Sequence, residues 1–142
     1  MHKLLIPVDN SGNAMRALEH ALRLAKENGP MELVIVHAHE PPIVYGEIAI
    51  YMHDERAKEL QRQHSEDILN PMIEKVKSAG VPFLSEIVVG DVAKSIVACA
   101  KTHDCDGIVM GTRGMGAIGN LVMGSVATKV IHLTEIPVTL VK

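Results

Sequence analysis

Short apolar runs alternate with segments of helical periodicity along this chain, and this alternation limits the possible folds more than any other feature. Five apolar runs are separated by four helical segments, and the runs cover residues 3–8, 32–38, 84–89, 106–110 and 136–141. Runs that are apolar on both faces are typical of strands covered by helices on either side. The order β-α-β-α-β-α-β-α-β therefore predicts an α/β fold with one five-stranded parallel sheet, right-handed crossovers and helices on both faces.

Capping residues mark where the helical segments begin. Ser11 and Asp91 are placed to cap the first and third helices, because their side chains can accept hydrogen bonds from first-turn amides. The second helix is predicted over about residues 48–78, where Pro71 predicts either a kink or a restart of the helix. The fourth helix is predicted over about residues 125–133.

Composition narrows the class of protein. The 142 residues fit one domain, and 47% hydrophobic with only 2% aromatic residues predicts an aliphatic core. A net charge of −3 disfavours nucleic-acid binding, which usually leaves a basic surface. The sequence has neither an 18-residue apolar run nor a signal-peptide pattern, so we expect a cytoplasmic protein without a membrane partner. Cys99 and Cys105 match no metal or redox motif and are expected to be reduced, structural thiols.

A glycine-rich stretch lies between the fourth apolar run and the fourth helix. Within fourteen residues, glycine occurs at positions 111, 114, 116, 119 and 124. Glycine lets the backbone approach a ligand closely, and a helix start adds unpaired N–H donors with about half a positive charge. Ser125 could cap this helix or contact a phosphate. The stretch predicts an anion site, and a flexible turn is the alternative interpretation.

The predicted topology places this stretch beside an acid from the start of the chain. Ligands of doubly wound sheets lie beyond the carboxyl ends of the strands, where the strand order reverses. If the order is 3-2-1-4-5, Asp9 becomes a neighbour of residues 111–114. Its carboxylate could accept hydrogen bonds from ribose hydroxyls, or it could be a turn residue that bonds its own backbone. Ala38, at the end of the second run, could offer its backbone to an adenine edge.

The same stretch lacks the groups that fast phosphate chemistry needs. No acidic residue occurs between Asp106 and Glu135, so the loop supplies no general base. The NTPase motif G-x-x-x-x-G-K-[ST] is absent, and with it the phosphate-binding lysine. Arg113 could neutralise phosphate oxygens or be a solvated loop residue. We therefore predict binding with slow turnover at most, and Mg²⁺, where it accompanies the ligand, would be held mostly by phosphates and water near Asp9.

Two other patterns have weaker support. Residues 114–119 match G-x-G-x-x-G, but a dinucleotide fold has this motif in its first βα turn with an acid about 20 residues further on. His37 and His39 lie on one strand face, as a metal pair would, yet no third ligand follows at a recognisable spacing. We therefore favour neither a dinucleotide site nor a metal site, and we interpret the two histidines as core or surface residues.

The spacing Gly111-x2-Gly114-x9-Gly124-Ser125 resembles the ATP-binding signature of the universal stress protein family. The likeness extends over essentially the whole chain, with matching strand ends at residues 6–11, 36–38, 106–111 and 136–138. The resemblance implies an α/β protein with strand order 3-2-1-4-5 that binds ATP, or AMP or ADP. It also implies a homodimer formed through the last strand, which the apolar edge strand at residues 136–141 independently favours.

The resemblance also assigns roles to individual residues of this chain. Adenosine would be contacted by Pro7, Val8, Asp9, Ala38, Met110 and Gly111. The phosphates would lie against Gly114, Gly124, Ser125 and Val126. Arg113 occupies a position that the family fills variably, so its role is open.

These observations give one leading functional hypothesis and two alternatives. The leading one is an ATP-binding regulatory or stress-response protein with little or no turnover. The first alternative is a slow ATPase or autophosphorylating enzyme. The second is a nucleotide-independent interaction module, such as a receiver-like domain that uses Asp9.

Overall fold

Strands and helices alternate along the chain in the predicted order. The structure is a computed structural model that describes residues 2–41, 54–113 and 123–142. Its elements are β1 (His2–Pro7), α1 (Gly12–Glu27), β2 (Met31–His39), α2 (Asp54–Ala79), β3 (Phe83–Val89), α3 (Val92–Thr102), β4 (Gly107–Gly111), α4 (Ser125–Leu133) and β5 (Val138–Val141). All five predicted strands are present. The predicted start of the second helix, residues 48–53, lies outside the described residues.

The five strands form one parallel sheet in the order β3-β2-β1-β4-β5, which confirms the predicted topology. Strand β1 lies at its centre, where Leu4 pairs with Leu33 of β2 on one side and with Gly107 of β4 on the other. The chain adds β2 and β3 on one side of β1 and then β4 and β5 on the other. The order therefore reverses between β1 and β4. A receiver domain has the order 2-1-3-4-5, so the receiver-like version of the interaction module is wrong.

Alternate residues of the central strands are buried on opposite faces of the sheet. The face covered by α1 and α2 carries Ile6, Leu33, Ile35 and Val109. The face covered by α3 and α4 carries Leu5, Val34, Val36 and Ile108. Each fully buried aliphatic side chain contributes about 1.5–3 kcal/mol relative to exposure. The prediction of helices on both faces is confirmed, and it explains why the strands read as continuous apolar runs.

Both predicted caps are present at the helix starts. The Ser11 hydroxyl accepts a hydrogen bond from the Ala14 amide at 3.3 Å, and the Asp91 carboxylate accepts one from the Lys94 amide at 3.0 Å. These bonds satisfy donors that have no partner within the helix. They also fix where α1 and α3 begin, directly after β1 and β3.

Helix α2 continues through Pro71, so the prediction of a restart there is wrong. Proline removes one N–H donor and crowds the preceding turn, which costs up to about 3 kcal/mol in a helix interior. Pro71 is exposed, whereas the next residue, Met72, and Val76 one turn later are buried. Burial of this inner face keeps the helix continuous despite the lost hydrogen bond.

Both cysteines are buried free thiols. Burial raises the pKa of Cys99 to about 12 and that of Cys105 to about 11, so both are protonated at neutral pH. Among the described residues, no helix combines the length and apolar character needed to cross a membrane.

Candidate functional site

A cavity of about 330 Å³ opens at the carboxyl edge of the sheet, at the reversal between β1 and β4. Its lining includes ten of the eleven predicted site residues, namely Pro7, Val8, Asp9, Ala38, Met110, Gly111, Arg113, Gly124, Ser125 and Val126. The eleventh, Gly114, lies outside the described residues, as does the G-x-G-x-x-G motif at 114–119. Parallel pairing of β1 with β4 brings the two sequence-distant segments to one edge.

Asp9 lies half-buried at the rim of the cavity, directly after β1. Its Oδ1 accepts a hydrogen bond from the Ser11 amide at 2.9 Å, as the turn interpretation predicted. An ionised carboxylate has about four acceptor positions, so this single bond leaves most of its capacity free. The turn fixes the direction of the carboxylate, and the remaining acceptor positions suit hydroxyl donors of a ligand.

Gly124 is the N-cap of α4, with φ −74° and ψ 167° and no side-chain cap. Its own N–H donates to the Thr112 carbonyl at 2.6 Å, and its carbonyl accepts from the Thr128 amide at 3.1 Å. Gly124 therefore ties the start of α4 to the residue that follows β4 and offers no free amide. Ser125 is the first helical residue, so its hydroxyl does not cap this helix.

The first turn of α4 supplies the amide donors of the cavity. Ser125, Val126 and Ala127 precede Thr128, the first residue whose amide is bonded within the helix. First-turn amides have no intrahelical partner, and the helix dipole adds about half a positive charge at this end. Arg113 also lines the cavity and follows Thr112, whose carbonyl accepts the hydrogen bond from Gly124. This side of the cavity is therefore suited to an anion.

Close packing against α1, and not an unusual backbone angle, explains why residue 111 is a glycine. A Cβ at position 111 would lie 2.6 Å from the Cβ of Asn13 in α1, closer than real side chains approach. The Asn13 side-chain amide also donates to the Arg113 carbonyl at 2.7 Å. Helix α1 thus holds the end of β4 and the first residues of the glycine-rich stretch.

Two aliphatic residues of α3 line the cavity and were missed by the site prediction. Val92 and Ile96 lie one turn apart, immediately after the Asp91 cap. The signal was available, because α3 begins at the same edge of the sheet and an i, i+4 apolar pair in a first turn faces the strands. Together with Met110 and Ala38 they give the cavity an apolar wall.

His37 is buried, and its Nδ1 lies 2.9 Å from the carbonyl oxygen of Val8, a residue that lines the cavity. Burial lowers the pKa of His37, an effect opposed by the hydrogen bond to Val8. Charges on His39 and His64 also lower it, whereas Asp9 raises it. Within residues 2–41, 54–113 and 123–142, no third ligand completes a metal set with His37 and His39.

The strand order, the cavity at the reversal and the helix start define a doubly wound α/β protein with a cavity at its switch point, where ligands of such sheets bind. Residues 1–142 match the model of the Universal stress protein family, and the chain belongs to this family. The universal stress protein in the QAH/OAS sulfhydrylase 3′ region of Thermus aquaticus is 33% identical over 140 residues, covering 98% of this chain and 97% of that protein.

Solved structures agree with this assignment. The hypothetical protein MJ0577 superposes with a TM-score of 0.80 and 29% identity, covering 99% of this chain and 95% of that one. A universal stress protein solved in complex with cAMP has a TM-score of 0.67 and 25% identity, with coverage of 99% and 95%. An adenine nucleotide is therefore the ligand of at least one structural relative.

Proposed function

We propose that this chain binds an adenine nucleotide in the cavity between β1 and β4 and acts as a regulatory stress protein with little or no turnover. ATP is the proposed ligand, with ADP and AMP as shorter forms. The observation that carries the proposal is the pairing of an acid from β1 with the amide-rich start of α4 around one cavity. A ribose needs hydrogen-bond acceptors such as the carboxylate, and a phosphate chain needs donors such as the amides of α4.

The apolar wall supports a role for the adenine ring. Val92, Ile96 and Met110 present aliphatic surface, and Ala38 is small enough to leave room for a flat ring with its backbone close by. The volume of about 330 Å³ lies within the range of small-molecule sites, which are mostly apolar with a few fixed polar groups. Asp9 is the polar group placed to accept from ribose hydroxyls.

The start of α4 supports a role for the phosphates. The amides of Ser125 and Val126 are unpaired within the helix, and the Ser125 hydroxyl is not used as a cap. Hydrogen bonds to a charged group make a net contribution of about 1.5–3 kcal/mol each, so amides that donate to a phosphate here would stabilise its binding. Arg113 adds a cation, and we propose that Gly114 completes the cradle. Mg²⁺, when present, would be held mainly by phosphates and water.

The scarcity of acidic side chains among the described lining residues favours nucleotide binding over hydrolysis. Among the described lining residues, Asp9 is the only acidic side chain, and it is engaged with the Ser11 amide. Hydrolysis needs a base positioned for the attacking water as well as charge stabilisation at the phosphates. One acid assigned to the ribose does not supply that base.

Calorimetric titration of the nucleotide-free chain with adenosine, AMP, ATP and GTP tests the proposal. We expect affinity to increase from adenosine to ATP, and GTP to bind far more weakly. Arg113→Ala should weaken ATP about tenfold and leave adenosine unchanged, whereas Asp9→Asn should weaken all three adenine ligands. Arg23→Ala, an exposed arginine towards the other end of α1, is the matched control.

Each alternative gives a different result in the same experiment. Equal affinity for ATP and adenosine would remove the phosphate role of α4, and no binding at all would favour the interaction module. Phosphate release that Asp9→Asn abolishes would favour the slow ATPase.

We further propose that the chain is a homodimer formed through β5 and is located in the cytoplasm. Strand β5 is an edge of the sheet, and its Leu140 side chain is 36% exposed. An edge strand presents unpaired backbone groups that a second copy can satisfy. The two free thiols support a reducing compartment.

A further inference from the structure

Three potential metal ligands converge between β3 and α3, outside the nucleotide cavity. The Glu86 Oε2, Cys99 Sγ and His103 Nε2 atoms lie within 4.8 Å of one another. Glu86 comes from the edge strand, and the other two residues come from the last turn and C-cap of α3. We propose that this cluster, the Glu86–Cys99–His103 cluster, is a binding site for Zn²⁺.

The spacing of the ligand atoms is close to what zinc requires. Zn²⁺ binds sulfur at about 2.3 Å and nitrogen or oxygen at about 2.0–2.2 Å in a tetrahedron, so its ligand atoms lie about 3.4–3.6 Å apart. Cys99 Sγ is 3.5 Å from Glu86 Oε2, and His103 Nε2 is 2.8 Å from the same oxygen. A bound Zn²⁺ requires the second distance to be about 0.6 Å longer, and rotation of the partly exposed Glu86 side chain would allow this.

Cys99 Sγ and His103 Nε2 both approach the Oε2 atom of Glu86, and a bound cation would replace the hydrogens that lie between these atoms. On binding, the thiol proton of Cys99 and the Nε2 proton of His103 both leave to solvent, His103 carries its one remaining ring proton on Nδ1, so that its neutral Nε2 lone pair binds the metal, and Glu86 stays ionised. The charges of one thiolate, one carboxylate and Zn²⁺ then cancel. No oxidation or reduction is involved.

The burial of the three residues suits a site with one open position. Cys99 is buried, whereas the side chains of Glu86 and His103 are 45% and 23% exposed. The thiolate is therefore shielded while the ion can enter from the carboxylate side. Three protein ligands leave the fourth tetrahedral position to water, and softer thiolate and imidazole donors favour Zn²⁺ over Mg²⁺ or Ca²⁺.

The arrangement also rests on local helix geometry. Cys99 and His103 are four residues apart, so they lie on the same side of α3, and the His103 amide donates to the Cys99 carbonyl at 3.1 Å. Glu86 pairs in register with Val36 on the face that α3 covers. A bound ion would tie the end of α3 to the sheet edge.

Titration of the untagged, chelator-stripped and nucleotide-free chain with ZnCl₂ in competition with a chromophoric chelator tests this site. We expect one Zn²⁺ per chain, and Cys99→Ser or His103→Gln should lose more than the roughly tenfold to hundredfold affinity lost when supporting groups are removed. Cys105→Ser, a second buried free thiol outside the cluster, is the matched control and should bind as the parent does.

Substitution by Co²⁺ keeps the test independent of variant stability. The parent and Cys105→Ser should show a thiolate-to-cobalt charge-transfer band, and Cys99→Ser should lack it. Circular dichroism of the metal-free variants identifies any that fail to fold, and for those the band of the parent decides. A parent without this band, or Zn²⁺ affinity unchanged in both Cys99→Ser and His103→Gln, would overturn the proposal.

Discussion

Gly111→Ala is the substitution whose cost the structure defines most directly. The new Cβ would lie 2.6 Å from the Asn13 Cβ, about 1 Å inside the normal contact distance between carbon atoms. It would also lie 3.2 Å and 3.3 Å from the Asn13 backbone carbon and oxygen. Backbone atoms cannot rotate away, so α1 must move from β4.

The expected change in the free energy of unfolding follows from two opposing effects. Overpacking a well-filled interior costs about 1–3 kcal/mol, and the backbone contacts place this case at the upper end. Replacing glycine reduces the freedom of the unfolded chain and returns about 0.4–1 kcal/mol. The net loss is about 2 kcal/mol. At an unfolding entropy of about 0.3 kcal/mol/K for a chain of this length, Tm falls by about 7 °C.

Thermal unfolding by circular dichroism measures this loss, with Gly12→Ala as the control. A Cβ at Gly12 would lie 3.4 Å from the end of the flexible Arg16 side chain, so we expect an unchanged or slightly higher Tm. Gly111→Ala should also weaken ATP binding below its Tm, because a displaced Asn13 no longer holds the Arg113 carbonyl. A Tm within about 2 °C of the parent would refute the packing argument.

Two further predictions concern pH and assembly. The pKa of His37 is lowered from 6.5 in the folded state, so the unfolded chain binds the proton more readily. The contribution of His37 to the free energy of unfolding is therefore fully present above about pH 6.5. Below that pH it falls, towards the folded pKa, by no more than about 1.4 kcal/mol per pH unit. Urea unfolding at several pH values should show that His37→Gln removes this slope and that the exposed control His132→Gln keeps it; equal slopes would contradict the argument. Leu140→Asp should convert a β5 dimer to monomer in sedimentation equilibrium, whereas Leu84→Asp on the opposite edge strand should not, and the reverse pattern would place the interface on β3.

The topology was predictable because two kinds of signal in the sequence, apolar runs and helix caps, indicate the same order of elements. Apolar runs without polar alternation indicate strands covered on both faces, and caps at Ser11 and Asp91 mark the helix starts between them. The switch point then follows from strand order, which is why Asp9 and Gly111 could be placed together across a hundred residues. Local patterns were enough wherever each element's burial agreed with its propensity.

The errors arise where tertiary contacts override local signals. Pro71 indicated a restart, but burial of Met72 and Val76 keeps α2 continuous. The approach of Glu86 to Cys99 and His103 could not be predicted either, because Glu86 comes from another element and sequence spacing does not show which residues lie opposite each other. Contacts between distant residues need the folded register before they can be recognised.

The glycine signature itself illustrates how a sequence motif and a binding surface differ. Gly111 is small because α1 packs against it, and the Gly124 amide is already bonded to the Thr112 carbonyl. The Gly124 amide is therefore not free to bond an anion. In the proposed site, the donors at the start of α4 are the amides of Ser125 and Val126, which have no partner within the helix, and their side chains matter less because the backbone supplies the hydrogen. We infer that Gly124 sets where the start of α4 lies, and the helix that follows would provide the charge complement.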